Sequence, residues 1–536
     1  MGENARFGEI RSLLHGEGTA STWRSLCALV DLCDQGELSE RIIPYIKAHL
    51  DRWPSSIRVA PRRWVERLER EEPIERLGLV HELSLYPSRN TLRAINSDDD
   101  ASPSHPQLEG LLSRGAHLKP ARLSIHGRLG ERHIEGLGSS RELLSNLEKL
   151  HIEKSQLGDG VVEWLVDQPA TKNLEELHLP HNRLERAGME LLCESENLPK
   201  LRTLRLDHNS PGPLIAEALL TAPWAEQLEH FGLGGAPLDA RGGELGWDSV
   251  ALLARARFFH GMSSIALSGN QLGHATDGPD VLFPKVRDLD LSFNHLSDGG
   301  LERIIAGCDT EKLERLHLSI NRLTSGALEP ILRADGPLLE HLDLFGNAIT
   351  GEGLRQLLGS PRMREVKVLN LGSTHGEAGF LTELRAWETG ALEELSFQGT
   401  SFDDNDAYIL SRAEPLENLK VLDLSSTQLH ARGVRALATS PTLGHLTRLI
   451  LNYSRVGDEG IIALAARDQP SLRRLDLRSC GITVQGVRAL AQAPWLGQLE
   501  GLDLSNNPLS EQGRRMLYEA EALPLHLRAK YKPLEP

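Results

Sequence analysis

The sequence predicts an α/β solenoid, in which short parallel strands alternate with helices, and three observations carry that expectation. A segment of roughly 27 residues recurs about sixteen times. Each copy opens on a Leu-x-x-Leu-x-Leu frame, whose alternation buries one face of a short strand. Each then runs into a stretch with apolar residues at helical spacing. A chain of 536 residues would otherwise be expected to divide into several globular domains. A repeat array escapes that expectation because it grows without enlarging any single core.

The frame is clearest at Leu174-Glu-Glu-Leu177-His-Leu179-Pro-His-Asn182, followed one repeat on by Leu201-Arg-Thr-Leu204-Arg-Leu206-Asp-His-Asn209. It returns at Val286, Leu313, Leu339, Val366, Leu392, Leu419, Leu446, Leu472 and Leu499, and is legible at Leu147, Leu228 and Met262. Weaker copies begin at Val80 and Pro120. In each strand the Leu pair is expected to point inward and the residue between them outward. Gly433-Val-Arg-Ala-Leu437, Gly460-Ile-Ile-Ala-Leu464 and Gly486-Val-Arg-Ala-Leu490 share one helical pattern, with Gly353 and Gly513 opening similar stretches. Pro441, Pro470 and Pro494 stop three of these helices. Helices bulkier than strands on the outer side should bend the coil into a right-handed horseshoe with a concave parallel sheet.

Composition agrees. Hydrophobic residues make up 40% of the chain but aromatics only 4%, so the core must be layered aliphatic side chains. The formal net charge of −16 argues against nucleic acid and anionic membranes, both of which call for a basic face. The five cysteines are widely spread and contain no Cys-x-x-Cys pair, which suits free thiols in a reducing compartment. Met1 to Arg11 lacks the apolar stretch of a secretory signal, and no run approaches the ~18 apolar residues of a membrane span. A cytoplasmic location is the expectation.

These motifs resemble ribonuclease-inhibitor-type leucine-rich repeats. Asn182, Asn209, Asn270, Asn294, Asn321, Asn347 and Asn507 stand at that family's Asn position. Cys480 replaces it once, and Ser155, Thr374, Thr400, Thr427 and Ser454 replace it elsewhere. The resemblance implies a buried side chain that hydrogen-bonds the backbone leaving the strand. Thr and Ser can do so only in part, so copies from about residue 366 to 456 should be looser. The layout, with a short helical N-terminal segment, also resembles some bacterial intracellular leucine-rich-repeat proteins. As to function, the resemblance implies protein binding.

Four regions are expected. Residues 1–75 read as a helical cap over the first repeat or as an adaptor, with helices around Ser21–Asp34, Ile42–Leu50 and from Pro61. Residues 76–145 hold degenerate first repeats interrupted by an acidic loop over 96–106. The array occupies 146–518, with a Gly-rich insertion at 232–247. Residues 519–536 form a C-terminal cap and tail, with Leu523, Leu525 and Leu527 over the last repeat and a frayed basic end.

The outward strand column supplies the candidate binding residues: His151, His178, Arg205, Asp290, His317, Asp343, Asp423, Asp476 and Asp503. Such side chains are expected to bury nothing on folding. Phe293, Phe345 and Tyr453 flank strand ends and are candidate apolar anchors. The acidic half of the column suits a basic protein partner. It also suits a common Leu-Asp-Leu filler, with Arg448 and Arg474 neutralising Asp423 and Asp476. His-Glu-x-x-His and Gly-x-Ser-x-Gly motifs are absent. The pair His151 and His178 alone offers too few metal ligands. The sequence therefore predicts a non-enzymatic protein-interaction scaffold that needs no cofactor, metal or small-molecule substrate. A regulator of an enzyme, such as a GTPase activator, and an adaptor for protein turnover acting through the N-terminal helices are the alternatives.

Overall fold

A computed structural model describes residues 3–70, 72–86, 104–235, 244–274, 283–333, 336, 338–375, 377–381, 390–441 and 443–532. Residues 96–103 of the expected acidic loop and 236–243 of the Gly-rich insertion lie outside the described residues. The chain forms two compact units, Met1–Met262 and Ser263–Pro536.

The first unit carries six parallel strands: β1 (Glu82–Leu85), β2 (Arg122–His126), β3 (Lys149–Glu153), β4 (Glu176–His178), β5 (Thr203–Arg205) and β6 (His230–Gly232). Each pairs with the next along the chain, placing Leu83, Leu123, Leu150, Leu177, Leu204 and Phe231 in one row. The weak copies at Val80 and Pro120 supply β1 and β2, which pair over four residues. The second unit carries ten: β7 (Ser264–Ala266), β8 (Asp288–Asp290), β9 (Arg315–His317), β10 (His341–Asp343), β11 (Val368–Asn370), β12 (Glu394–Ser396), β13 (Val421–Asp423), β14 (Arg448–Ile450), β15 (Arg474–Asp476) and β16 (Gly501–Asp503). Their central row runs from Ile265 through Leu289, Leu316, Leu342, Leu369, Leu395, Leu422, Leu449 and Leu475 to Leu502.

The alternation decides what is buried. Leu177 and Leu179 are fully buried, as are Leu422 and Leu424, while His178 and Asp423 between them are half-buried. Helices Ala431–Ala438, Gly457–Ala465 and Val484–Ala491 bury Val434 and Leu437, Ile461 and Leu464, and Val487 and Leu490. Pro441, Pro470 and Pro494 lie just beyond their ends.

The buried Asn position stitches repeat to repeat. Asn209 Oδ1 accepts the N–H groups of Asn182 and Leu184, and its Nδ2 donates to Leu179 O and Leu206 O. Asn321 and Asn507 repeat the pattern. Thr374, Thr400 and Thr427 each donate to a carbonyl three residues back in their own repeat. Over the Thr copies other side chains join neighbouring repeats. Buried Asp406 accepts the N–H groups of Gly379 and Leu381, and Phe380, Phe397 and Phe402 pack ring against ring.

The N-terminal region is more helical than the sequence suggested. Glu3–His15 is a helix that its pattern did not reveal, followed by Ala20–Asp31. A π-helical turn, Leu38–Ile42, precedes Ile43–Lys47 and lets the chain continue through Pro44, which lacks an N–H. Trp64 Nε1 donates to Asp31 Oδ1 (2.6 Å) and Trp23 Nε1 to Val59 O (2.9 Å). Val59 pairs in parallel with Glu82, so this segment lies along the edge of β1. At the other end Leu523, Leu527 and Tyr531 are buried, so the basic end is packed at Tyr531 where fraying was expected.

Candidate functional site

The outward column is not idle. Asp290, Asp343, Asp423 and Asp503 each accept, through Oδ1, the backbone N–H two residues further on, at 2.9–3.0 Å. Asn370 does the same for Gly372. The expectation that these side chains do nothing for the fold is therefore corrected, since a short carboxylate at this point closes the turn that leaves the strand. Asp476 instead takes both Nε and Nη2 of Arg448, at 3.0 and 2.8 Å. Asp503 lies 3.5 Å from Arg478. The expected neutralisation of Asp476 comes from Arg448, while Arg474 lies over Gly501. Among the described residues Asp290, Asp343 and Asp423 form no ion pair with Lys or Arg.

A second feature of the loops was not read from the sequence. The residue three places after the outward strand position adopts a left-handed backbone in copy after copy. It is Lys154, His181, His208, Gly269, Phe293, Ile320, Gly346, Ser373, Gly399, Ser426, Tyr453, Ser479 and Asn506. Phe293 (φ 59°) and Tyr453 (φ 59°) occupy this position and are 47% and 55% exposed. Ile320 (φ 51°, 39% exposed) belongs with them and was missed. A φ-sensitive reading of the residue before each Asn position would have found it. Phe345 falls one place earlier, and its ring lies against Gly372, leaving it half-buried.

Beneath this rim, β8–β10 gather titrating groups. His317 Nε2 lies 3.4 Å from Asp288 Oδ1, and that contact raises the His317 pKa above its usual value despite burial. The His341 ring stands 4.5 Å from that of His317. Burial, helped by the His317 charge, lowers the His341 pKa to about 4. Burial pushes the Asp343 carboxyl up, and Asp290 adds to the effect.

In the first unit the column brings His151 and His178 together, with ring centroids 5.6 Å apart. His126, at the end of β2, lies 5.0 Å from His151 and was not among the candidates. Its Nδ1 is 3.0 Å from Glu153 Oε2. Burial, with His126 and His178 nearby, pushes the His151 pKa down to about 4. Glu176 is held at about 2, chiefly by His178. Arg205 folds over Gly232 and donates to Asp207 Oδ2 (2.7 Å).

Strand, left-handed turn, buried Asn and helix, repeated in register, define a leucine-rich-repeat protein. A family model described as Leucine Rich repeat matches residues 284–304, 337–358, 416–438, 444–465 and 468–491. NLR family CARD domain-containing protein 4 of Xenopus tropicalis is 28% identical over 193 residues, which are 36% of this chain and 17% of that protein. Ribonuclease inhibitor of Sus scrofa is 30% identical over 249 residues, 42% of this chain and 53% of that protein. The chain thus spans at most about half the length of these relatives. A solved chain from the yeast Rad7 and Elc1 complex matches at 16% identity with a TM-score of 0.42, covering 88% of this chain and 98% of that one. The chain is a leucine-rich-repeat protein of the ribonuclease-inhibitor type. Such proteins are typically binding scaffolds and not enzymes. No helix among the described residues is long and apolar enough to cross a membrane.

Proposed function

We propose that this chain is a non-catalytic scaffold that docks a protein partner on the outward side of the second unit's sheet, centred on β8–β10. The observation that carries this reading is the pair Phe293 and Ile320. Both are large, exposed and held in a left-handed backbone, where bulky and β-branched residues are outliers. Such strain costs about 1–3 kcal/mol per residue. Gly269 and Gly346 take the same loop position in adjacent copies without that cost. A fold selected for stability alone has no use for an exposed Ile there, whereas an interface does.

The chemistry below the rim suits a basic partner. Asp290 and Asp343 each keep one carboxylate oxygen free of the turn N–H. A Lys or Arg could reach them while an apolar neighbour packs on Phe293, Ile320 and Phe345. Tyr453, above Asp423 and Ile450, offers a second contact of the same kind. Arg205, Asp476 and Asp503 are secondary in this reading, because their charges are engaged by neighbours within the chain, and His151 and His178 are secondary because they lie in the first unit. Residues 1–75 serve as the N-terminal cap, and 519–536 as the C-terminal one. The five unpaired thiols suit the reducing cytoplasm.

The test is a double variant, Phe293→Gly with Ile320→Gly, in the full chain. Partners that co-purify with the unaltered chain are identified by mass spectrometry and their affinity measured with both proteins. The reading expects a variant at least as resistant to thermal unfolding, yet with affinity reduced at least ~10-fold. Equal affinity in a folded variant would retire it.

A further inference from the structure

We infer that His126, His151 and Glu153 form a site for a divalent transition-metal ion of the Zn²⁺ class on the outward side of the first unit's sheet. The parallel register places His126 directly beside Glu153, and His151 beside Ser124 two residues earlier. The three side chains therefore rise from neighbouring points of one rigid sheet, on adjacent strands about 4.8 Å apart. His126 Nδ1 lies 3.0 Å, and His151 Nε2 3.9 Å, from the same oxygen, Glu153 Oε2. One donor atom from each residue falls within 4.8 Å of the other two. A tetrahedral ion with bonds of about 2.0–2.1 Å holds its ligands roughly 3.3 Å apart. With the donor atoms within 4.8 Å of one another, the widest gap has at most ~1.5 Å to close.

Three further observations favour an ion over a simple His–Glu pair. His151 Nε2 is buried and has no hydrogen-bond partner, a state that buried polar atoms ordinarily avoid. A metal bond would satisfy it. Lys154 Nζ holds Glu153 Oε1 at 2.7 Å, leaving Oε2 turned to the two imidazoles. Tyr86 stacks on His126, with centroids 4.9 Å apart and planes 4° apart, fixing the ring as outer partners do at metal sites. Two imidazoles and one carboxylate match Zn²⁺ and its late first-row neighbours, whereas Ca²⁺ and Mg²⁺ take oxygen ligands. Three protein ligands leave coordination open on the outward side, where water or a donor from a bound protein could complete it. The expectation of no metal weighed His151 with His178 only. His126 and Glu153 sit two residues further along their strands, at the next outward position.

The experiment titrates the full, chelator-stripped chain with Zn²⁺ by calorimetry at neutral pH, and with Co²⁺ by visible absorption. The result expected is one Zn²⁺ whose affinity falls at least ~10-fold in both Glu153→Gln and His151→Gln. It should be unaltered in His181→Gln, which breaks the stacked His181–His208 pair elsewhere on the unit. Zn²⁺ should also raise the melting temperature of the unaltered chain and not of the first two variants. Melting without metal checks that each variant folds, and His126→Gln replaces either one that does not. Absence of stoichiometric binding by the unaltered chain overturns the site. So does binding that persists unchanged in folded Glu153→Gln and His151→Gln.

Discussion

Asp458, near the start of one helix, accepts the backbone N–H of Gly486 in the next repeat through Oδ1 at 2.9 Å, and a Cβ on Gly486 would stand 2.6 Å from that same oxygen. The carboxylate also takes the N–H and the hydroxyl of Thr483. Asp404 does the same for His430 and Gly433. The Gly that opens these helices is thus the seat for an acid from the repeat before. Helix propensity alone says that Gly486→Ala should stabilise the protein by up to ~1 kcal/mol. The geometry says that Ala displaces a cap worth about 1–2 kcal/mol. The net expectation is a loss of up to ~1 kcal/mol in denaturant unfolding. Gly160→Ala, where a Cβ meets nothing within 4 Å, should show no such loss. A stabilised Gly486→Ala would remove the cap from the account.

The Asn and Thr copies should differ in the same measurement. Asn209 makes four hydrogen bonds that span two repeats, so Asn209→Ala strands several buried backbone groups. A loss of about 3 kcal/mol is expected. Thr400 donates once, within its own repeat, and Thr400→Ala should cost about 1 kcal/mol. Equal losses would mean that the Asn ladder does not join the repeats as its geometry implies.

Thiol labelling gives an independent reading of the core. Burial pushes the pKa values of Cys27, Cys193 and Cys308 up to about 12 and that of Cys480 up to about 11, and Cys33 is raised as well. A thiol at about 12 is thiolate to roughly one part in ten thousand at pH 8. An aromatic disulfide reagent should therefore label the folded chain slowly and all five thiols once guanidinium is added. Rapid labelling of the native protein would place at least one thiol outside the packed layers.

The repeat fold was legible because one pattern was written many times. Leu177-x-Leu179 and Leu422-x-Leu424 turn inward as read, and five of the seven Asn positions are buried where the resemblance put them, while Asn321 and Asn507 are half-buried. The rest escaped because it lives between repeats. That Asp458 needs Gly486 opposite it is a relation across 28 residues, which no periodicity within a copy reveals. The left-handed turn at Ile320 carries no residue signature, since Lys, His, Phe, Ser and Gly all occupy it. The Asp column was read for its charge, whereas its first task is to accept a turn N–H.

The two neighbouring histidines of β9 and β10 should oppose each other in acid. They lie among Asp288, Asp290, Arg315 and Asp343. His317 holds its proton more tightly folded than unfolded, because of Asp288. Its contribution is fully present below the unfolded value near 6.5 and is lost as pH rises through the higher folded value. Asp288 is depressed, burial being outweighed by His317 and Arg315, so its share is lost only in strong acid. His341 stays neutral in the fold down to about 4. Between about 6.5 and 4 the unfolded chain therefore gains a proton there that the folded chain does not, and stability falls as pH falls. His341→Gln should flatten the decline in melting temperature over that window. His317→Gln should instead remove the gain in melting temperature that acidification brings above that window, as pH falls toward 6.5. Imidazole titrations followed by NMR would show one midpoint above the ordinary His value and the other well below it. Two ordinary midpoints would dissolve the pairing of His317 with Asp288, and with it the electrostatic design ascribed to this part of the sheet.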